Sequence, residues 1–470
     1  MTGRGADRVS GLPNNWSIVR LGDITCQSKL KTNPSNIEKT RYVGLKHIEK
    51  DTGKLIEYGY SNEVKSSKSI FRKGDLLYGK LRPYLNKVWC ATFNGICSTD
   101  LLVFPQCHLN NEYLKYRLLM PDFVRFANIN VSGVHHPRVK FDTISSFEIP
   151  LPPFPEQQRI AAKIEELFTK LDAGVAALQK AKTLLKQYRQ SVLKAAVEGK
   201  LTEEWRRENG KRIEPASVLL ERIQAERKQR LGGKYKPPKP VDTSNLPDLP
   251  DGWVWANLKS IGEVVTGTTP SKSKLEYYGN EYPFYKPTDL NSGYNVNTSS
   301  DSLSSEGILK ARLLRKNTVL VTCIGATIGK TGLIRKEGAS NQQINAILNE
   351  EGILSEYLYF AAISPFFQNQ ILSKSSSTTL PILNKSKFEE LPIMIPSYNE
   401  QKEIVNEIDR LFSIIDESEL VIDTELKRSQ SLRQSILKRA FEGKLVPQDP
   451  SDPPASELLE RIKAQKRNSQ

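Results

Sequence analysis

No stretch of this 470-residue chain approaches the ~20 consecutive apolar residues that a bilayer-spanning helix needs, so a helical membrane protein is not expected. Its opening residues, Met1 to Gly11, are polar and lack the apolar core of a secretory signal. Cysteine is scarce. Cys26, Cys90, Cys97, Cys107 and Cys323 are odd in number and show no CxxC spacing, which reads as reduced thiols in a cytoplasmic protein. The four histidines (His47, His108, and the pair His135 and His136) form no HExxH or Cys/His pattern, so no metal is expected. No Ser/His/Asp arrangement can be inferred either. What the chain has in excess is positive charge: 68 Lys and Arg against 53 Asp and Glu, a net +15. That excess favours a polyanionic partner, nucleic acid or an anionic membrane surface. The length allows two to four domains, each with its own core.

Internal repetition organises the rest. LPPFPEQQRIAAKIEELFTKLD (Leu151 to Asp172) returns 244 positions later as IPSYNEQKEIVNEIDRLFSIID (Ile395 to Asp416). At the same shift RQSVLKAAVEGKL (Arg189 to Leu201) becomes RQSILKRAFEGKL (Arg433 to Leu445). A little later PASVLLERIQA from Pro215 returns as PASELLERIKA from Pro454. Upstream the correspondence is faint. LPNNW at Leu12 matches LPDGW at Leu249, Thr99 and Asp100 fall on Gln342 and Gln343, and Pro137 falls on Pro381. Two halves that keep one part and diverge in the other share a scaffold but touch different things.

The kept parts carry a heptad pattern. Ile164, Leu171, Leu178, Leu185 and Val192 hold one position; Ile160, Leu167, Gly174, Ala181, Tyr188 and Ala195 hold the other. The second copy follows with Ile404, Ile408, Leu411, Ile415, Ile422, Leu432 and Ile436, interrupted by Ser418, Glu425 and Ser429. Pro155 suits the first turn of one helix, Asn399 suits the N-cap of the other, and Gly199 and Gly443 suit the C-termini. About 43 residues at 1.5 Å each give roughly 65 Å. A lone helix of that length is not stable in water, so the stripe needs a partner. Twofold-related copies within one chain would place the helices antiparallel; a homodimer through the same stripes is the alternative. In the diverged parts, Asp75 to Leu81 and Thr318 to Ile324 read as strands, and FEIPLP and LPIMIP as edge strands. A proline-rich stretch between Lys228 and Pro250 reads as an extended linker.

Two motifs come close to enzyme signatures and fall short. Gly325 to Thr331 (GATIGKT) has three residues between its glycines where a phosphate-binding loop has four, and its counterpart, Arg82 to Val88, has no glycine. Leu151-Pro-Pro-Phe154 is similar to the Asn/Asp-Pro-Pro-Tyr/Phe loop of amino-group DNA methyltransferases, but Leu151 cannot accept the hydrogen bond of the target amine. No glycine-rich cofactor loop lies upstream.

With PPFPEQQRIAAKIEELF, PSYNEQKEIVNEIDRLF and RQSxLKxAxxGKL laid out, the chain resembles the specificity subunits of Type I restriction–modification systems over essentially its whole length. LTEEWR (Leu201 to Arg206) looks like a family spacer; the second copy departs from it with LVPQDP (Leu445 to Pro450). The resemblance implies an α+β chain: two mixed α/β target-recognition domains separated by two long helices that form an antiparallel coiled coil, in an internal pseudo-twofold repeat. It implies recognition domains at 12–150 and 249–394, and conserved helical regions at 151–230 and 395–470, with the linker at 231–248. Long helices are expected at about 156–198 and 400–442, and short ones at about 215–229 and 454–466. The implied function is a non-catalytic, sequence-specific DNA-binding subunit that reads a bipartite, asymmetric site. Its implied partners are double-stranded DNA, two modification (methyltransferase) subunits and two restriction/translocase subunits, with no membrane. S-adenosylmethionine, ATP and Mg would bind those subunits and none would bind this chain.

Specificity on base edges calls for Arg, Lys, Asn and Gln, and affinity for Lys and Arg on phosphates. In the first domain the candidates are Lys80, Arg82, Lys87, His135, His136, Arg138 and Lys140. In the second they are Lys330, Asn341, Gln342, Gln343, Asn384, Lys385 and Lys387, with Lys286 and Asp289 as poorer choices. Candidates for helix-pair packing are Ile164, Leu171, Leu178, Leu185, Val192, Ile408, Leu411, Ile415, Ile422 and Ile436.

Overall fold

The heptad stripes form two helices of 44 residues each, Phe154–Val197 and Tyr398–Phe441, in a computed structural model. It describes residues 11–107, 109–209, 213–376 and 380–468. His108 and the first ten residues, on which the reading of the N-terminus rested, lie outside the described residues. Pro155 sits in the first turn of the first helix, where its missing amide costs nothing. Asn399 is not the cap of the second: it lies inside the helix. The group in register with the Glu400 amide is the Ser397 hydroxyl, which accepts it at 3.2 Å. Both helices close on a left-handed glycine, Gly199 (φ 70°) and Gly443 (φ 68°). The amides of Lys200 and Lys444 bond back to the carbonyls of Ala195 (2.9 Å) and Arg439 (2.8 Å), the pattern that only a positive φ allows.

The chain divides into two compact units, residues 1–178 with 423–470, and residues 179–422. In the first unit Ser17–Arg20 pairs antiparallel with Glu148–Leu151. Leu76–Gly79 lies between Val88–Cys90 and Leu101–Phe104, and a five-stranded sheet runs in the order Lys31–Thr32, Lys68–Phe71, Gly95–Cys97, Arg41–Val43, Gly59–Tyr60. The second unit pairs Val254–Asn257 with Pro392–Ile395. It also holds the four-stranded order Gly262–Thr266, Ile344–Asn349, Val319–Thr322, Thr331–Leu333, and a three-stranded sheet around Tyr278–Tyr285. Pro150 and Pro392 are tolerated because each two-stranded pair leaves an edge that needs no amide. Leu151 is fully buried at a joint between strand and helix, so the Leu-Pro-Pro-Phe run is structural. The proline-rich stretch has neither helix nor strand from Tyr235 to Trp253, but it is anchored: the Asn257 side chain donates through Nδ2 to the Lys239 carbonyl (2.9 Å) and Lys239 pairs with Glu390 (2.9 Å). No helix among the described residues is long and apolar enough to cross a membrane.

Each unit has a continuous core to which both long helices contribute. In the first unit Ile160, Ala161, Ile164 and Phe168 share it with Ile436, Leu437, Ala440 and Phe441. In the second Val192, Leu193, Ala196 and Val197 share it with Ile404, Val405 and Ile408. One polar contact recurs. Arg433 lies 4.2 Å from the Phe168 ring and pairs with Asp172; Arg189, 244 positions earlier, lies 4.5 Å from the Phe412 ring and pairs with Asp416. Ile164, Val192, Ile408, Ile415, Ile422 and Ile436 are buried, and Leu171, Leu178, Leu185 and Leu411 are half-buried. Tyr188 and Leu432 depart from the heptad expectation: both are 49% exposed. At those levels the inward direction falls one residue later, on Arg189 and Arg433, whose guanidiniums cross to the facing aspartates.

The EQ pair that opens both helices is a buried lock. The Trp16 indole donates to Glu156 at 2.9 Å, and the Trp253 indole to Glu400 at 2.8 Å. Gln157 accepts the Asn110 amide (3.0 Å), and Gln401 accepts the Leu354 amide (2.7 Å). The second oxygen of each glutamate separates the copies. Glu400 accepts from Thr202 (2.8 Å) and pairs with Arg206 (2.5 Å), both supplied by LTEEWR. In LVPQDP the donor is the neutral amide of Gln448, 2.6 Å from Glu156. Burial therefore raises the Glu156 pKa above the ordinary carboxylate value, against the pull of its hydrogen bonds.

Glu400→Gln removes one partner of a buried ion pair and should cost about 3 kcal/mol in denaturant unfolding at pH 7. Glu156→Gln should cost much less. Because the folded state holds the Glu156 proton more tightly than the unfolded chain does, wild type should lose stability relative to Glu156→Gln as the pH rises through that raised pKa. Equal losses for the two variants, or a pH-independent difference, would contradict this assignment.

Candidate nucleic-acid interface

The strand Leu76–Gly79 delivers the chain to a loop that is unusual in its backbone. Arg82 (φ 51°) and Asn86 (φ 46°) are both left-handed without being glycine, around the short turn Pro83–Leu85. Such residues persist where surroundings fix them. The buried Asn86 side chain donates to Asp51 (3.0 Å) and to the Leu119 carbonyl (3.2 Å). The amide of Arg82 donates to the Pro137 carbonyl at 2.8 Å, that of Lys80 to Asp100 at 3.0 Å, and that of Val139 to Lys80 at 3.0 Å. Ser132 and Arg138 exchange both backbone bonds, 2.8 and 2.9 Å, which closes a second loop. The segments 80–87 and 132–140 are thus stitched together, and they carry all seven candidates of the first domain.

Those candidates do not all face outward. Arg82, His135, His136 and Lys140 are exposed, and Lys80 is half-exposed. Arg138 is held by Asp100, Nε to Oδ1 at 2.9 Å, which fixes the direction of its fork. Lys87 is turned inward: its ammonium donates to the Leu45 carbonyl at 2.6 Å, and desolvation lowers its pKa. Its position resists outward use, because the Lys87 carbonyl itself accepts the Gly79 amide (2.8 Å) and holds the residue against the strand. Asp100 was absent from the sequence candidates; only its alignment with Gln343 marked it.

The same frame recurs in the second unit. Cys323 donates to Gln343 (2.7 Å), Gly325 to Pro381 (3.0 Å), Leu383 to Cys323 (2.8 Å) and Thr322 to Lys330 (2.8 Å), and Ser376 exchanges bonds with Ile382 (2.9 and 3.1 Å). Each bond has its counterpart 243 or 244 positions earlier, so the frame is kept while its side chains change. Gly325 stands for Arg82, Gln343 for Asp100 and Ile382 for Arg138. Asn341 donates to Gln343 (2.9 Å), Gln342 accepts from Thr269 (2.5 Å), and Lys330 donates to Asn291 (2.8 Å). Asn384 caps the short helix Lys385–Glu389 by accepting the Lys387 amide, and Asn384, Lys385 and Lys387 are exposed. Lys286 pairs with Asp301, and Asp289 accepts the amides of Lys286 (2.7 Å) and Ser300 (2.9 Å), so these two build a turn.

Gly325 to Lys330 connects two strands, Val319–Thr322 and Thr331–Leu333, whereas a phosphate-binding loop runs from strand to helix. The Gly329 and Lys330 amides turn back on Thr322 and Thr327. Among the described residues no group of three or more His, Cys, Asp or Glu is placed to hold a metal. Burial pushes the thiols of Cys97 and Cys323 up to about 12, which removes them as nucleophiles.

The backbone of the frame is testable by itself. Gly325 has φ 104°, so Gly325→Ala should cost about 1–2 kcal/mol in denaturant unfolding. Arg82 already bears a side chain in the left-handed region, so Arg82→Gly should leave stability within about 1 kcal/mol of wild type. A neutral Gly325→Ala would mean that the frame does not depend on this backbone conformation.

Residues 13–180 and 250–428 match the family described as the Type I restriction modification DNA specificity domain. The specificity subunit of the Type I restriction enzyme EcoBI from Escherichia coli is 27% identical over 428 residues, 87% of this chain and 82% of that one. That of HindI from Haemophilus influenzae is 26% identical, covering 81% and 88%. That of EcoDI, also from Escherichia coli, is 36% identical over 232 residues; there the chain spans about half of the relative, 52%. Among solved structures, a chain from a study of complex assembly and conformational transition of the type I R-M system superimposes with a TM-score of 0.70 at 21% identity, over 92% of this chain and 99% of that one. The HsdS subunit from Thermoanaerobacter tengcongensis gives 0.58 at 22% identity, over 92% and 98%. At those identities the likeness is one of fold.

Proposed function

Because this chain belongs to the Type I restriction modification DNA specificity family, twice over along its length, we propose that it is the subunit that reads the DNA target of a Type I restriction–modification complex. It binds DNA sequence-specifically and does no chemistry itself. Residues 12–150 and 249–394 are the two readers, and 151–230 and 395–470 are the helical regions, with 231–248 as the connection. The long helices form an antiparallel coiled coil under an internal pseudo-twofold relation. The repeated Arg/Asp/Phe contacts and the cores that draw on both helices support that reading. The helix pair sets the separation of the readers and hence the unspecified spacer of a bipartite, asymmetric site.

The observation that carries the reading is the kept frame with altered outward side chains. A scaffold that binds one protein surface twice would keep those side chains; two different half-sites require them to differ. Arg82, His135, His136, Arg138, Lys140 and Lys80 are assigned to the first half-site, and Asn341, Gln342, Gln343, Asn384, Lys385, Lys387 and Lys330 to the second. Lys87 serves the frame. Two modification subunits and two restriction/translocase subunits complete the complex in the cytoplasm, and S-adenosylmethionine, ATP and Mg belong to them.

The test is to replace residues 12–150 by the corresponding domain of a relative and to map methylated adenines in cells that express the complex. One half-site should change and the other remain. A change in both half-sites would overturn the modular reading.

A further inference from the structure

Between Ser132 and Arg138 the chain forms a short closed loop whose tip holds an apolar residue out in solvent. Gly133 turns it with φ 90°, and Val134 is 92% exposed. The loop is not loose. Its base is closed by the paired Ser132 and Arg138 backbone bonds, fastened to Arg82 through Pro137, and braced by the Arg138–Asp100 pair. The polar candidates Arg82, His135, His136 and Arg138 surround it, yet Val134 itself can make no hydrogen bond.

On the base edges of the major groove only one feature is apolar, the 5-methyl group of thymine. We propose that Val134 selects a thymine in the first half-site by packing against that methyl. The inference rests on the assignment of segments 80–87 and 132–140 as base readers. It adds a discriminating residue that sequence criteria for hydrogen-bonding readers pass over.

The experiment uses the full chain assembled with its modification subunits, and duplexes bearing its mapped target. Each thymine of the first half-site is replaced in turn by deoxyuridine, which removes the methyl and nothing else. Wild type should lose about fourfold in affinity at one thymine, the worth of one buried methyl-sized group. Val134→Ala should bind the unmodified target about fourfold more weakly and show no further loss at that thymine. Val134 packs on nothing that would unfold, and equal melting temperatures would confirm that the variant is intact. Affinity unchanged in Val134→Ala would overturn the proposal. So would a Val134→Ala defect combined with indifference to every deoxyuridine, the pattern of a wedge between base steps. If wild type showed no sequence preference, the reading of these segments as DNA readers would fail. Sequence preference without a Val134 effect would remove only the role of Val134.

Discussion

Two amphipathic helices of 44 residues cannot present their apolar stripes to water, and everything else in the chain is arranged around that constraint. Each stripe is satisfied in two stages. Its buried ends join the core of a unit, as Ile160 and Ile164 do with Ile436 and Ala440, and its middle is only half-covered around Leu178 and Leu185. The Arg433–Asp172 and Arg189–Asp416 pairs add direction to what apolar packing leaves unspecific. An ion pair under an aromatic ring tolerates one register of the facing chain, whereas leucines tolerate several.

The buried glutamates join this helix arrangement to the readers. Glu156 and Glu400 bind tryptophans that precede the first strand of each diverged domain, and Gln157 and Gln401 hold the loops before Asn111–Leu118 and Ser355–Ile363. The entry strand, a small helix and the long helix therefore meet at two adjacent residues of sequence. This explains why the EQ pair is kept while the domains mounted on it diverge. It also shows where the copies are unequal, since one glutamate has an arginine and the other a neutral amide.

The helices, the repeat and the glycine ends were legible in the amino-acid sequence because they depend on periodicity and on backbone conformations that few residues allow. The interior of each reader was legible only in part. The strands Leu76–Gly79 and Val319–Thr322 stood out as apolar runs, but the pairing of segment 80–87 with 132–140 joins residues some fifty positions apart, and no local pattern encodes it. Side-chain roles were least legible. Lys87 and Arg82 are both basic loop residues, yet one ammonium is spent on Leu45 while the other cation is free to face outward. Tyr188 and Leu432 fit a heptad by number but not by direction, since two arginines occupy the inward position at that level.

We propose that the helix pair fixes the distance between two independent readers. Inserting one heptad into each long helix would lengthen the pair by about 10 Å, close to the rise of three base pairs of DNA. Methylated adenines mapped in cells expressing the lengthened chain with its modification subunits should show both half-sites unchanged and the spacer between them longer by about three base pairs. An unchanged spacer would contradict the account.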